Sequence, residues 1–144
     1  MKVAYIQALG GASGDMLLAS MIDAGLEKSE LENLVEDLGL TGISLQVTSA
    51  QRGGISGTHL DIKLDTNSKI PRRWQDFVRI VQASSLSPRV KSQSTEVFRL
   101  IGLAEGAVHG VQPEHVHLHE LGTLDTLIDV VGVMFGLEKL ALEK

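Results

Sequence analysis

Three of the five histidines in this 144-residue chain fall at alternate positions, His115, His117 and His119, and Glu120 follows directly. In an extended segment side chains two apart point to the same face, so the three imidazoles project together. After a turn at Gly122 come Asp125 and Asp129. Their spacing of four puts both carboxylates on one face of a helix. A row of imidazoles beside paired carboxylates is a donor set for a divalent transition metal. The plainer reading of the aspartates is surface charge on a helix whose other face is Leu124, Leu127, Ile128 and Val131.

A second stretch with chemical potential lies near the start. Val3–Ile6 is a short run of β-formers, read as a buried strand, and it runs into LGGASGDM. A strand, a glycine-rich loop and a helix N-terminus together favour an anion, because free amides and the helix dipole face it. Gly10, Gly11, Ser13, Gly14 and Asp15 are therefore candidates to hold a phosphate or carboxylate. The pattern is neither a P-loop nor GxGxxG, and Ser13 or Asp15 can equally serve as a helix cap.

The elements that must position these groups follow from periodicity. Met16–Ala24 reads as a helix ended by Gly25, and Ser29–Leu38 as a second one with Glu32 completing a capping box. Ile43–Ser49 and Ser56–Leu64 alternate around Arg52-Gly53-Gly54, which predicts an antiparallel pair, with His59 on its polar face. Pro71 opens a helix to about Gln82, with Trp74 in its apolar stripe. Ser87-Pro88 opens a longer one to His109, ended by Gly110; the helix dipole alone accounts for a cation-forming side chain there. Thr123 caps a last helix to about Leu142. The expected fold is a single α+β domain, a small mixed β-sheet packed with about five helices. The sheet would contain Val3–Ile6, the pair around Arg52–Gly54, and His115–His119 as a parallel neighbour of the first strand.

Composition narrows the class. Hydrophobic residues make up 43% and charged residues 22%, ordinary for a water-soluble domain of this length. A net charge of −5 speaks against nucleic acid. No apolar run approaches the roughly 20 residues of a membrane span. There are no cysteines, which leaves nitrogen and oxygen as metal ligands and suits the cytoplasm.

Taken together, GGASGDM, AEGAVHG and HLHELGTLDTLIDVVG resemble the signature blocks of the LarC-type nickel-insertion protein family, and the resemblance runs from Met1 nearly to Lys144. It implies nickel insertion into pyridinium-3,5-bisthiocarboxylic acid mononucleotide, giving the nickel-pincer nucleotide cofactor of lactate racemase. The reaction is that of a CTP-dependent nickel chelatase, a cyclometallase of the lyase class. The resemblance places Ni(II) on His117, His119 and Glu120, with His115 added by spacing alone. It implies Gly10–Asp15 toward the substrate phosphate. Asp125 or Asp129 would be a further ligand, an orienter of an imidazole, or the proton acceptor. The chain departs from the family pattern at Gln7, where an acidic residue is common, and Asp65–Ile70 is short where many members carry a histidine-rich insertion. The resemblance also implies a two-domain protein, this chain matching the N-terminal part and CTP belonging to the C-terminal part outside it. That part is either the rest of the same protein or a split partner chain. A lactate racemase-type apoprotein and a second copy are further expected partners. Two other classes fit the residues: a metal-dependent hydrolase using the His/Asp cluster, and a non-catalytic nickel-binding assembly module.

Overall fold

The computed structural model describes residues 2–65 and 73–143. Gly53 and Gly54 both have positive φ, 57° and 81°, the pairing that a tight two-residue hairpin turn demands. They join β1 (Ile43–Arg52) to β2 (Ile55–Leu64) in an unbroken antiparallel register from Ile43 opposite Leu64 to Arg52 opposite Ile55. Leu45 and Leu60 are buried on one face, and His59, Asp61 and Lys63 stay exposed on the other.

Five helices complete the described residues: α1 (Gly14–Asp23), α2 (Lys28–Asp37), α3 (Trp74–Ala83), α4 (Pro88–His109) and α5 (Leu124–Lys139). The architecture is the expected small α+β fold, and its sheet is the two-stranded hairpin. In α4, Pro88 occupies the first turn and the Ser87 hydroxyl accepts from the Val90 N–H at 3.2 Å, while Gly110 closes the helix with φ 65°. Thr123 caps α5 by accepting from the Thr126 N–H at 3.3 Å. α2 starts earlier than Ser29: Glu27 is its cap, and the Glu30 carboxylate accepts from the Glu27 N–H at 3.4 Å. Pro71 and Arg72 lie outside the described residues.

α1 packs between β2 and α5. Gly132 and Gly136 of α5 make that approach possible, since a methyl at Gly132 would come within 2.9 Å of Leu18 and one at Gly136 within 2.5 Å of the Met21 sulfur. α3 crosses α4 through Phe77 and Phe98, fully buried with ring centroids 5.1 Å apart. The core is otherwise aliphatic, led by Leu18, Leu31, Leu127 and Ile128.

Two sequence expectations are corrected. Val3–Ile6 forms no ladder with any described strand; an isolated bridge beside it pairs Lys2 with Leu142, and Val3, Tyr5 and Ile6 are more than half exposed. A β-forming run becomes a strand only where a neighbour offers hydrogen bonds, and the hairpin edges do not reach it. His115–His119 is not a strand either. Pro113–His115 is one turn of 3-10 helix and the residues after it are irregular, because Pro113 supplies no N–H to a ladder and sets a turn instead.

Candidate metal centre

Glu105 and His109 lie four apart on the last turn of α4, so their side chains stand over one another. His109 Nε2 is 3.2 Å from Glu105 Oε2. The ring of His119 meets that of His109 with centroids 4.8 Å apart and planes inclined at 51°. One ligand atom from each of Glu105, His109 and His119 falls within 4.8 Å of the other two. Donors bound to one ion through nitrogen and oxygen sit about 3 Å apart, so small rotamer adjustments would close the set. Two imidazoles and one carboxylate on one side leave the remaining positions of a divalent ion open.

The helix supplies two donors, and the following segment must deliver the third. Gly106 lets that segment pass close to α4: a methyl there would lie 2.9 Å from the Val111 carbonyl oxygen. Trp74 lies against Gly102 and donates from Nε1 to the Pro113 carbonyl at 2.9 Å. Gln75 donates to the Glu114 carbonyl at 3.2 Å. Val116 and Leu118 are buried, which turns their neighbours His115, His117 and His119 outward. The alternation expected from the sequence is therefore present without a strand. Of the three, His119 joins the donor group, whereas His115 and His117 are exposed and lie outside it. Glu120 lines the same cavity, which has a volume of about 590 Å³ and apolar walls from Ile101, Ala104, Val108 and Leu121.

Ile101 and Leu121 are shared with a second cavity of about 300 Å³, lined also by Gly14, Leu17 and Asp129. Asp129 packs against Gly14 so closely that a side chain at Gly14 would collide with its carboxyl. Oδ1 of Asp129 and Oδ1 of Asp125 are buried and make no hydrogen bond among the described residues. Burial pushes the Asp129 carboxyl up to about 7, with the charges of Asp15 and Asp125 adding to the effect. Burial also raises Asp125, followed by the charge of Asp61.

The glycine loop reaches the second cavity through Gly14 and turns Ser13 and Asp15 toward a third, of about 530 Å³, bounded by Arg52, Ser56 and His59. Asp15 Oδ1 accepts from the Ser13 hydroxyl and from the Met16 N–H, both local contacts of a helix start. Gly10 and Gly11 are exposed, Gly11 with φ 90°.

Glu105 and His109 lie in the AEGAVHG block noted in the sequence, but neither was named there as a ligand. Their E-x-x-x-H spacing inside a helix of clear boundaries was the available signal, masked because His109 is already explained by the helix dipole.

A helix-borne Glu/His pair joined by a loop histidine defines a donor set of the kind that handles a divalent metal. The chain belongs to the nickel insertion protein family, whose sequence model matches residues 4–144. A relative from Myxococcus xanthus is 41% identical over 141 residues, covering 96% of this chain and 36% of its own length. A relative from Desulfitobacterium hafniense, named pyridinium-3,5-bisthiocarboxylic acid mononucleotide nickel insertion protein, is 36% identical over 144 residues, all of this chain and 36% of its own length. The chain thus spans little more than a third of the curated relatives it matches. No solved structure shows a significant match to it. No helix among the described residues is long and apolar enough to cross a membrane.

Proposed function

We propose that this chain supplies the metal- and substrate-binding part of a protein that inserts nickel into pyridinium-3,5-bisthiocarboxylic acid mononucleotide. The observation that carries this reading is the convergence of Glu105, His109 and His119 in one open cavity, in a chain of the nickel insertion family. Imidazole nitrogen suits Ni(II), which stands high in the divalent affinity series. Three protein donors on one side hold the ion while leaving places for the two thiocarboxylate sulfurs of the substrate. Glu120 stands at the rim of the same cavity, and His117 and His115 offer outer imidazoles for capture.

Insertion breaks one ring C–H bond and forms one nickel–carbon bond; the released proton needs an acceptor. Asp129 in the adjoining cavity, a half-buried carboxyl pushed up to about 7, is suited to that role, and Asp125 one turn before it is also raised by burial. Ser13 and Asp15, with Arg52 across the third cavity, would give the side for the nucleotide phosphate, with Gly10, Gly11 and Gly14 in the loop leading to it. CTP use, and supply of the finished cofactor to a lactate racemase-type apoprotein, belong on this reading to the whole protein, with CTP bound by the length of the relatives that this chain does not span.

The test is calorimetric titration of the chain with Ni(II), then a nickel-insertion assay in a full-length relative carrying the equivalent of Glu105→Gln with His109→Ala. Tight nickel binding lost in the double variant, together with lost insertion, supports the reading. Undiminished nickel binding and insertion would remove these residues from the site.

A further inference from the structure

α4 changes character along its length. Its inner stripe runs through Val90, Ser94, Phe98, Gly102 and Gly106, all buried. Away from that stripe, the first half of the helix shows Ser92, Glu96 and Arg99 to water, the last two paired at 2.6 Å. From Leu100 to Val108 the exposed residues are Leu100, Leu103, Ala104, Ala107 and Val108. All five are apolar, and Glu105, the charged residue in that span, is partly buried. A surface helix needs one apolar stripe, turned to its own core. Here the same turns carry a second, with Val108 80% and Leu100 51% exposed. An apolar patch of this kind marks a surface made to be covered. Ala104, Val108 and the exposed Leu121 also line the donor cavity. Whatever sits on this face therefore also covers the mouth over Glu105, His109 and His119.

Two observations select the occupant. The relatives from Myxococcus xanthus and Desulfitobacterium hafniense match this chain over 36% of their own length, so most of each relative lies beyond the match and must pack somewhere. A second copy is a poorer fit. A twofold pairing sets one patch against itself, and here it would bring the carboxylates of Glu105 and Glu120 at the cavity toward their own counterparts, in a chain of net charge −5. We propose that the exposed apolar half of α4, Leu100–Val108, is the docking surface for the remainder of the full-length protein, which closes over the donor cavity. The proposal rests on the nickel-insertion reading for what the cavity holds. Closure keeps water from the open positions of the ion while the substrate takes them.

Side-chain labelling tests this. The chain has no cysteine, so Leu103→Cys and, on the polar half of α4, Ser92→Cys each give it a single thiol. Both positions are exposed, so neither change empties the core. The same two changes are made at the matching positions of the full-length Myxococcus xanthus relative. Modification by a maleimide is followed for each site by peptide mass spectrometry. In the isolated chain both sites are expected to label at similar rates. In the full-length protein the Leu103 site is expected to label about tenfold or more slowly than the Ser92 site, since reaction waits for the interface to open. That protection is expected to survive dilution, because the covering part belongs to the same chain. Equal labelling of the two sites in the full-length protein would overturn the proposal. Protection that disappears on dilution, or that appears in the isolated chain as its concentration rises, would overturn it in favour of a second copy. The labelling uses no metal, so its failure leaves the Glu105–His109–His119 reading standing. A Ni(II) titration of the chain against His109→Ala tests that reading separately.

Discussion

His109 ends a long helix and His119 lies ten residues further on, in the loop that follows it, yet their rings meet with centroids 4.8 Å apart. Nothing covalent enforces that approach. It depends on α3, which holds the Pro113–His115 turn against α4 through Trp74 and Gln75. The approach of the candidate donors is thus set by contacts distant from the donors themselves.

Replacing Glu105 by Gln, or His109 or His119 by Ala, is expected to lower Ni(II) affinity about tenfold to a hundredfold, whereas His115→Ala changes it little. Isothermal titration of the four variants at neutral pH checks this. Affinity in the wild type is expected to weaken in acid, because imidazole must be neutral to ligate. Equal losses for His115 and His109 variants would contradict the geometry.

Trp74→Phe retains an aromatic ring over Gly102 but deletes the hydrogen bond to Pro113. The cost in stability is expected to be about 1 kcal/mol, since one partially buried bond is lost while the Pro113 carbonyl keeps its bond from the Val116 N–H at 3.3 Å. Nickel affinity is expected to fall as well, through the freed turn rather than through any donor. Urea denaturation combined with nickel titration separates the two effects.

Gly106→Ala opposes two effects. Removing glycine from a helix interior gains up to about 1 kcal/mol. The new methyl, however, would lie 2.9 Å from the Val111 oxygen, a backbone atom that cannot turn aside. Overpacking of this kind costs about 1–3 kcal/mol, so net destabilisation is expected, with weaker metal binding. A variant of unchanged melting temperature would show that the turn yields easily.

Asp129 carries a pH signature. Its carboxyl lies at about 7 in the fold and near the ordinary Asp value when unfolded. Between those values the folded state holds a proton that the unfolded state has lost, so stability falls as pH rises through this window and levels off above 7. Asp129→Asn removes the penalty. The variant is expected to be more stable than wild type at pH 8, by about 1–2 kcal/mol after allowance for solvent screening, and the two converge toward pH 4. Thermal melts across that range measure it.

Much of this was legible in the residues. Pro88–His109 was readable to its ends because Ser87, Pro88 and Gly110 are local stop and start signals. The Gly53-Gly54 hairpin and the Thr123 cap were readable for the same reason. The alternation of buried Val116 and Leu118 with outward His115, His117 and His119 was also legible. What was not legible was which outward imidazole meets a partner. That depends on where α4 ends relative to the loop, a tertiary distance that no local pattern encodes. The expected strand at Val3–Ile6 was misread for the same reason, since strand formation depends on a neighbour elsewhere in space.

That N-terminal segment has a practical consequence for work with the chain. Val3, Tyr5, Ile6 and Leu9 are 56%, 85%, 60% and 96% exposed, on backbone that follows the Lys2–Leu142 bridge. Open apolar backbone of this kind readily finds other copies of itself. Preparations of the chain alone are therefore expected to scatter more light as concentration rises, and Tyr5→Lys with Ile6→Lys to remain dispersed, without any change at the metal centre.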